Sequence, residues 1–517
     1  MANIIANALC ITQLGSNEQK NTLTFAKANF TTKYGGQRMK KLLAVILLVA
    51  LCASLCVAFT ACREEEGIVF YHTMGAPLRK VLDKYIAKFN EIYPNIQITH
   101  KQIGGYDDVK KQINRDLDVG KEPYIAYCYP DHVAGYNLAG ATVELDTYMY
   151  SKAVIPAGKF GNTSEMAVGM TEAEINDLKA GGFFNEGMQF GQNADGKTPM
   201  YTLPFSKSTE VLYYNKTFFT ANNIPVPTHW WCTEGCPADC DSSMEKVCEK
   251  IRSIDSKSTP LGYDSEANWF ITMCEQYSTV LEGNPQLYTT ADGDHYVFDN
   301  EYTKEFVKRF NTWRSKNYVT TQKIYGKYTS NLFKEQSSYM SIGSSAGANN
   351  QVPAKTNGKY LFDVGIATIP QMSTDREDHR VISQGPSLVM FQKVNKDEEM
   401  QAWLFVKYLI TNTQFQAEFS RASGYVPVLG SVMEDEIYKD FLDSADGGDF
   451  IAALTAKVCV EQSYAYYTSP AFVGSSSARD EVNALLVKCL GLKGADLDAQ
   501  IDKAFKEAIE NCKKNSL

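Results

Sequence analysis

Four cysteines stand in one short stretch, Cys232-x3-Cys236-x3-Cys240-x7-Cys248, and His229 lies three residues ahead of the first. Thiols at short spacing support two chemistries. As thiolates they hold a structural zinc ion; oxidised, they pair into disulfides that staple a loop. The spacings are not C-x2-C, and no second C-x2-C pair exists. Two disulfides are therefore the first expectation, with a structural metal and free thiols as alternatives. Four cysteines allow three pairings. Cys128, Cys274, Cys459, Cys489 and Cys512 are scattered and read as buried small hydrophobes.

Catalytic constellations are missing from the text. There is no H-E-x-x-H, no G-x-S-x-G and no phosphate-binding G-x4-G-K-[ST] loop. Asp292-Gly293-Asp294 has the look of part of a calcium loop but lacks the spaced acidic ligands and the closing Glu, so a hairpin turn is expected there. No enzyme activity and no cofactor is expected, and no metal is assigned to the functional site.

The positioning elements follow from periodicity. Ile68–His72 reads as a strand. Leu78, Val81, Leu82, Tyr85, Ile86 and Phe89 recur at helical spacing until Pro94. Ile96 and Ile98 begin a second strand, Val109–Leu117 a second helix, and Tyr124–Tyr129 a third strand. This alternation predicts a mostly parallel α/β sheet. Further strands are expected at Val211–Lys216, Tyr339–Ile342, Val364–Ile369 and Leu388–Phe391. Helices are expected over 300–314, 399–410 and 415–419.

The 517 residues are 44% hydrophobic and 21% charged, with a formal net charge of −9. That is a globular composition of more than one domain, and its acidity argues against nucleic acid as a partner. Met39-Lys40-Lys41 opens an apolar run that ends at Ala61-Cys62, the plan of a secretory signal over 39–61. Phe59-Thr60-Ala61-Cys62 resembles a bacterial lipobox, which implies a lipid on Cys62. An uncleaved transmembrane anchor is the alternative. Residues 1–38 read as an upstream extension. From Cys62 on, 45 basic residues face 59 acidic ones.

Four collinear segments resemble the family 1 extracellular solute-binding proteins of bacterial ABC importers. They are Phe70–Gly75 with its following helix and Tyr93-Pro94; Leu203–Lys216 with Ile224–Pro227; Met340–Gly347 with Gly365–Pro370; and Gly385–Leu388 with Trp403–Ile410 and Ser423–Val428. The resemblance implies a two-lobed α/β fold of the periplasmic-binding-protein type II class, hinged around an interlobe ligand cleft. Crossings between lobes are expected near Ser206–Val211, Pro370–Gly385 and Tyr425–Leu429. One lobe is then 67–207 plus 380–425, the other 208–372 plus 429–517.

The likeness is greatest to the glycerol-3-phosphate-binding branch. Its ligand contacts carry over to Tyr106, Ser208, Ser344, Gly385 and Tyr425, and an acidic contact falls near Asp131. The arginine that the branch uses near its C-terminal end has no match: the aligned stretch is Thr468-Ser469-Pro470-Ala471-Phe472, with Arg479 nearby but out of register. Tyr71 and His72, at the end of the first strand, are further candidates, with a structural histidine as the rival for His72. Trp269 is expected to stack on a sugar ring, with core burial as its rival.

The function implied is capture of a carbohydrate or a polyol or glycerol phosphate by a lipid-anchored extracytoplasmic protein, and its delivery to permease subunits in the membrane. The alternatives are a structural or adhesive surface lipoprotein and, less favoured, a metal-dependent surface enzyme built on the cysteine cluster.

Overall fold

A computed structural model describes residues 67–515 apart from 189, 191–195, 233–235, 238, 292, 445 and 446. The signal segment and Cys62 lie outside the described residues. Gly67–Leu517 forms one compact unit.

Twelve strands matter here, in chain order β1 (Ile68–His72), β2 (Ile98–Gln102), β3 (Ile125–Cys128), β4 (Thr202–Pro204), β5 (Ser208–Asn215), β6 (Leu261–Tyr263), β7 (Val319–Thr321), β8 (Met340–Ser344), β9 (Val364–Ala367), β10 (Val381–Gln384), β11 (Ser387–Met390) and β12 (Tyr466–Tyr467). They build two sheets. The first has the order β2-β1-β3-β11-β4; the second runs β12-β10-β5-β8-β6-β7, with β9 also paired to β5. In the first sheet β1 runs parallel to β2 and β3, while β11 is antiparallel to β3 and β4. The parallel α/β reading of the N-terminal part therefore holds.

The elements form where the sequence pattern places them. The helix Ala76–Ile92 has Pro77 in its first turn and buries Leu82, Tyr85 and Phe89. Pro suits a first turn because the N–H it lacks has no partner there anyway. The helix Glu301–Ser315 is capped by Asn300, whose side chain accepts from the Thr303 N–H, and buries Phe306, Phe310 and Trp313. One start differs. The second helix, expected from Val109, already begins at Tyr106, because the Asp108 carboxylate accepts from the Gly105 N–H at 2.8 Å and caps the first turn. Around the expected hairpin at 292–294, Thr289 bridges Tyr296 and the Thr290 N–H donates to His295 O.

The chain changes sheet between β4 and β5 and again between β10 and β11, and these passages are tied together. Phe205 N–H donates to Pro386 O at 3.1 Å, and Lys207 exchanges backbone hydrogen bonds with Val426. Gly385 has φ +95°, and a Cβ there would sit 2.5 Å from Ser206 O. Only glycine permits both that conformation and that approach. After Val426 the chain stays against the first lobe: Ser431 N–H donates to Asp177 on the helix Glu172–Ala180, and Glu436–Leu442 packs on the helix Thr413–Ser423. The helix Gly447–Glu461 then packs on β5 and β9. The passage to the second sheet thus falls beyond the expected 425–429.

Candidate functional site

At the C-terminal ends of parallel strands the chain leaves the sheet, and ligands of α/β proteins bind there. Beyond β3, Tyr129 precedes the helix Pro130–Leu138. Its ring stacks on Tyr106 with centroids 4.3 Å apart. Tyr106 in turn lies over Tyr127, and its hydroxyl is 3.4 Å from that of Tyr425. Four tyrosines from three segments form one wall on the first lobe. Burial pushes the Tyr106 hydroxyl well above its ordinary range, with Tyr425, Tyr129 and Tyr127 adding to the effect. It stays protonated and can donate.

The opposite wall belongs to the second lobe. Arg479 sits one turn into the helix Ser475–Gly491, its guanidinium 5.9 Å from the Tyr129 ring, and it donates to Asn268 Oδ1. Asn268 Nδ2 donates to Glu210 Oε1 at 2.9 Å, and Tyr263 donates to Glu210 Oε2 at 2.5 Å. Burial pushes Glu210 up to about 7, against those two hydrogen bonds and Arg479. A cavity of about 50 Å³ lies between the walls, lined among others by Tyr129, Asp131, Gln384 and Arg479. Gln384 Nε2 is buried without a partner, and an amide left so costs roughly 1–3 kcal/mol. The walls also touch directly: Lys110 Nζ donates to Ser476 Oγ at 2.6 Å, and Ser475 Oγ to Asp131 O at 3.4 Å. A larger cavity of about 440 Å³ beside β9 contains none of the expected site residues.

Several expected residues gather here. Tyr106 and Tyr425 share the tyrosine wall, and Asp131 lines the cavity. Ser344 Oγ donates to Ser208 Oγ at 3.4 Å, and Ser208 pairs with Gln384 across β5 and β10. Gly385 follows directly.

Three others lie elsewhere. Tyr71 packs with Val109 and Ile113 on the other face of β1, its hydroxyl held up to about 12 by burial and the Asp116 carboxylate. His72 Nδ1 accepts from the Met74 N–H at 3.0 Å, and its Nε2 meets His100 Nδ1 at 2.8 Å. Both nitrogens are used, and burial, then His100 and Arg79, lower its pKa to about 3. Trp269 is 0% exposed, stacked between Tyr263 at 4.8 Å and Phe310 at 3.9 Å, in the core of the second lobe.

Sequence reasoning passed over Gln384, whose only signal was adjacency to Gly385, and left Arg479 out of register. Lys207 is no substitute cation. It is 1% exposed, paired with Glu186, and donates to Gly385 O.

Cys232, Cys236, Cys240 and Cys248 are not joined in disulfides, so the expected disulfide staple is absent there. Cys248 is fully buried in the helix Met244–Ile254, turned into the core and away from the loop.

Two sheets joined by three passages, with a cleft between, define the two-lobed type II binding-protein fold that the sequence implied. A family profile described as Bacterial extracellular solute-binding protein matches residues 84–441. The chain belongs to that family, whose members are extracytoplasmic binding proteins. It is 22% identical over 405 residues to the sn-glycerol-3-phosphate-binding periplasmic protein UgpB of Yersinia enterocolitica, covering 77% of this chain and 83% of that one. It is 23% identical over 411 residues to the protein of the same name from Salmonella typhimurium, covering 77% and 83%. Among solved structures, UgpB from Mycobacterium tuberculosis in complex with glycerophosphocholine superposes with a TM-score of 0.64 at 16% identity, covering 88% of this chain and 100% of that one. The GacH receptor of Streptomyces glaucescens, solved unliganded and with acarbose, gives 0.62 at 13% identity, covering 86% and 98%.

Proposed function

We propose that this protein captures a polyol or glycerol phosphate, or a carbohydrate of similar size, between its lobes and delivers it to the permease subunits of an ABC importer. The relatives named for glycerol 3-phosphate support the ligand class. The observation that carries the reading is Arg479, set against the ring of Tyr129 across the cleft. A phosphate calls for a charged donor, and Arg479 supplies one in place of the arginine missing at 468–472. The tyrosine wall offers ring faces to carbon atoms and hydroxyls to a ligand's oxygens. Gln384, Asp131, Ser208, Ser344, Gly385 and Tyr425 are the other contacts proposed.

A cavity of about 50 Å³ is far below the roughly 300–1,000 Å³ of small-molecule pockets. Ligand entry therefore requires the lobes to part about Phe205–Lys207, Gly385–Pro386 and the segments after Tyr425, and ligand then stabilises the closed arrangement. The lobe limits proposed from the sequence extend with this, 430–442 moving with the first lobe. A lipid on Cys62 would hold the body beside its permease.

The test is thermal unfolding of the chain against glycerol phosphates, phosphodiesters, polyols and sugars. Ligand at a hundredfold its Kd adds about 2.7 kcal/mol, a shift of a few degrees at most in a chain this long. The expected outcome is a shift with a phosphate-bearing ligand that R479Q cuts to about a third or less. A shift with neutral sugars alone, unaffected by R479Q, would reject the phosphate reading and leave the carbohydrate one.

A further inference from the structure

Three sulfurs and one imidazole nitrogen converge outside the set of cleft residues. Sγ of Cys240, Cys236 and Cys232 lie 3.3, 3.5 and 3.9 Å from His229 Nε2. The four ligand atoms all lie within 4.8 Å of one another. Hydrogen bonding does not account for this. One imidazole nitrogen carries either one proton or one lone pair, so it serves one thiol, not three. Disulfides do not account for it either: Cys248 is buried in the core, which rules out two bridges, and none of the three sulfurs is bonded to another.

A tetrahedral ion does account for it. With Zn–S near 2.3 Å and Zn–N near 2.0–2.1 Å, tetrahedral angles put each sulfur about 3.5 Å from the nitrogen, the centre of the three observed distances. We propose that His229, Cys232, Cys236 and Cys240 form a structural zinc site that orders the loop leading into the helix Met244–Ile254. Three soft thiolates and an imidazole suit zinc. Four protein ligands fill its coordination and leave no position for water or substrate, so the site is structural and not catalytic. The other ring nitrogen, Nδ1, is 3.2 Å from Thr228 Oγ1, a contact that fixes the ring.

The loop needs such a device. From Cys232 to Asp241 the sequence is CTEGCPADCD, with no large apolar side chain, so hydrophobic burial cannot hold it. On both sides the backbone is already anchored. Thr228 N–H donates to Ser242 O at 3.0 Å and Met244 N–H to His229 O at 2.7 Å. Trp230 and Trp231 are buried, and Trp230 Nε1 donates to Gln276 on the helix Glu266–Val280. That helix carries Asn268, the partner of Arg479. Zinc closes the loop between these anchors and keeps three thiols of an exported protein from oxidising.

The experiment uses the full chain, purified without chelator or reductant from zinc-supplemented cells and dialysed. Plasma mass spectrometry is expected to find one zinc per chain, lost in C236S and C240S and kept in C248S. Exchange with cobalt(II) alone is expected to give the visible ligand-field bands of a tetrahedral thiolate site. Should the variants fail to fold, the unaltered chain still decides. Iodoacetamide is expected to label Cys232, Cys236 and Cys240 only after chelation, as mapped by peptide mass spectrometry. Substoichiometric zinc, zinc retained in C236S and C240S, a disulfide among the three cysteines, or equal labelling with and without chelator would each overturn the proposal.

Discussion

The molecule contains two clusters of stacked aromatic rings that look alike in sequence and differ in kind. One is the wall of Tyr106, Tyr127, Tyr129 and Tyr425 on the first lobe. The other is the knot of Tyr263, Trp269, Phe310 and Trp230 in the second. The knot is sealed: all four of its rings are 0% exposed. In the wall, Tyr106, Tyr129 and Tyr425 are only partly buried, and Tyr129 faces a cavity that Arg479, Asp131 and Gln384 also line. Ring stacking alone therefore does not mark a ligand site. The mark is a ring that keeps an open face beside a cation and a polar group, here Gln384, that lacks a partner of its own.

Substitution of Trp269 separates the clusters most sharply. W269A removes a fully buried indole and should destabilise the chain by about 3–5 kcal/mol, read as a lower urea midpoint. Ligand affinity of the folded fraction should stay within about twofold, less than 0.5 kcal/mol. A large loss of affinity at unchanged stability would return Trp269 to the cleft. Next in size is R479A. It should weaken a phosphate-bearing ligand by roughly 30-fold or more, the cost of removing a charged hydrogen-bond donor from a desolvated site, about 2–5 kcal/mol. Titration calorimetry reads it, and R479K should recover only part because a point charge lacks the guanidinium fork. Stability should move far less than in W269A.

The two regions meet at Glu210, which touches Tyr263 of the knot and Asn268, the partner of Arg479. Burial raises its folded pKa to about 7 from 4.5. The folded state then binds the proton more tightly than the unfolded chain. The stabilisation is complete below pH 4.5 and is lost as pH rises through about 7. E210Q cannot titrate, so the urea midpoint of E210Q relative to the parent should rise between pH 4.5 and pH 7. A difference that stays flat over that window would mean that Glu210 ionises as it does in the unfolded chain.

How far the sequence reveals these differences depends on whether a segment has one buried face or none exposed. The helix Ala76–Ile92 alternates buried and open positions, so its apolar spacing announces it and its orientation. The helix Glu266–Val280 is buried along its whole length from Glu266 to Ser278. No periodicity then tells which side chain points at a cleft and which at the core, and Trp269 is readable as either. His72 ends a strand where ligands bind, yet its partner His100 comes from the neighbouring strand 28 residues on, a pairing set by sheet register. Arg479 escapes a positional match because it reaches the cleft from one turn inside a helix that starts at Ser475, not from the loop before it. The cysteine stretch carries no apolar period in its sequence, and only the fold shows that His229 joins three thiols while Cys248 turns into the core.

The smallest effect expected is also the finest probe of the wall. The hydroxyls of Tyr106 and Tyr425 are 3.4 Å apart, long for an O–H···O bond, and link the start of a first-lobe helix to the segment just past Gly424. In Y425F the ring and its packing remain and one weak hydrogen bond goes, so stability should fall by no more than about 1 kcal/mol. Affinity is the discriminating measurement. If the hydroxyl pair serves only to close the wall, ligand binding should follow that small change. If the ligand replaces one tyrosine as the partner of the other, Y425F should weaken binding by about tenfold, near 1.4 kcal/mol, with Y106F reproducing it. The second outcome is expected, because a 3.4 Å contact between two donors satisfies neither hydroxyl fully and leaves both able to turn toward a ligand oxygen.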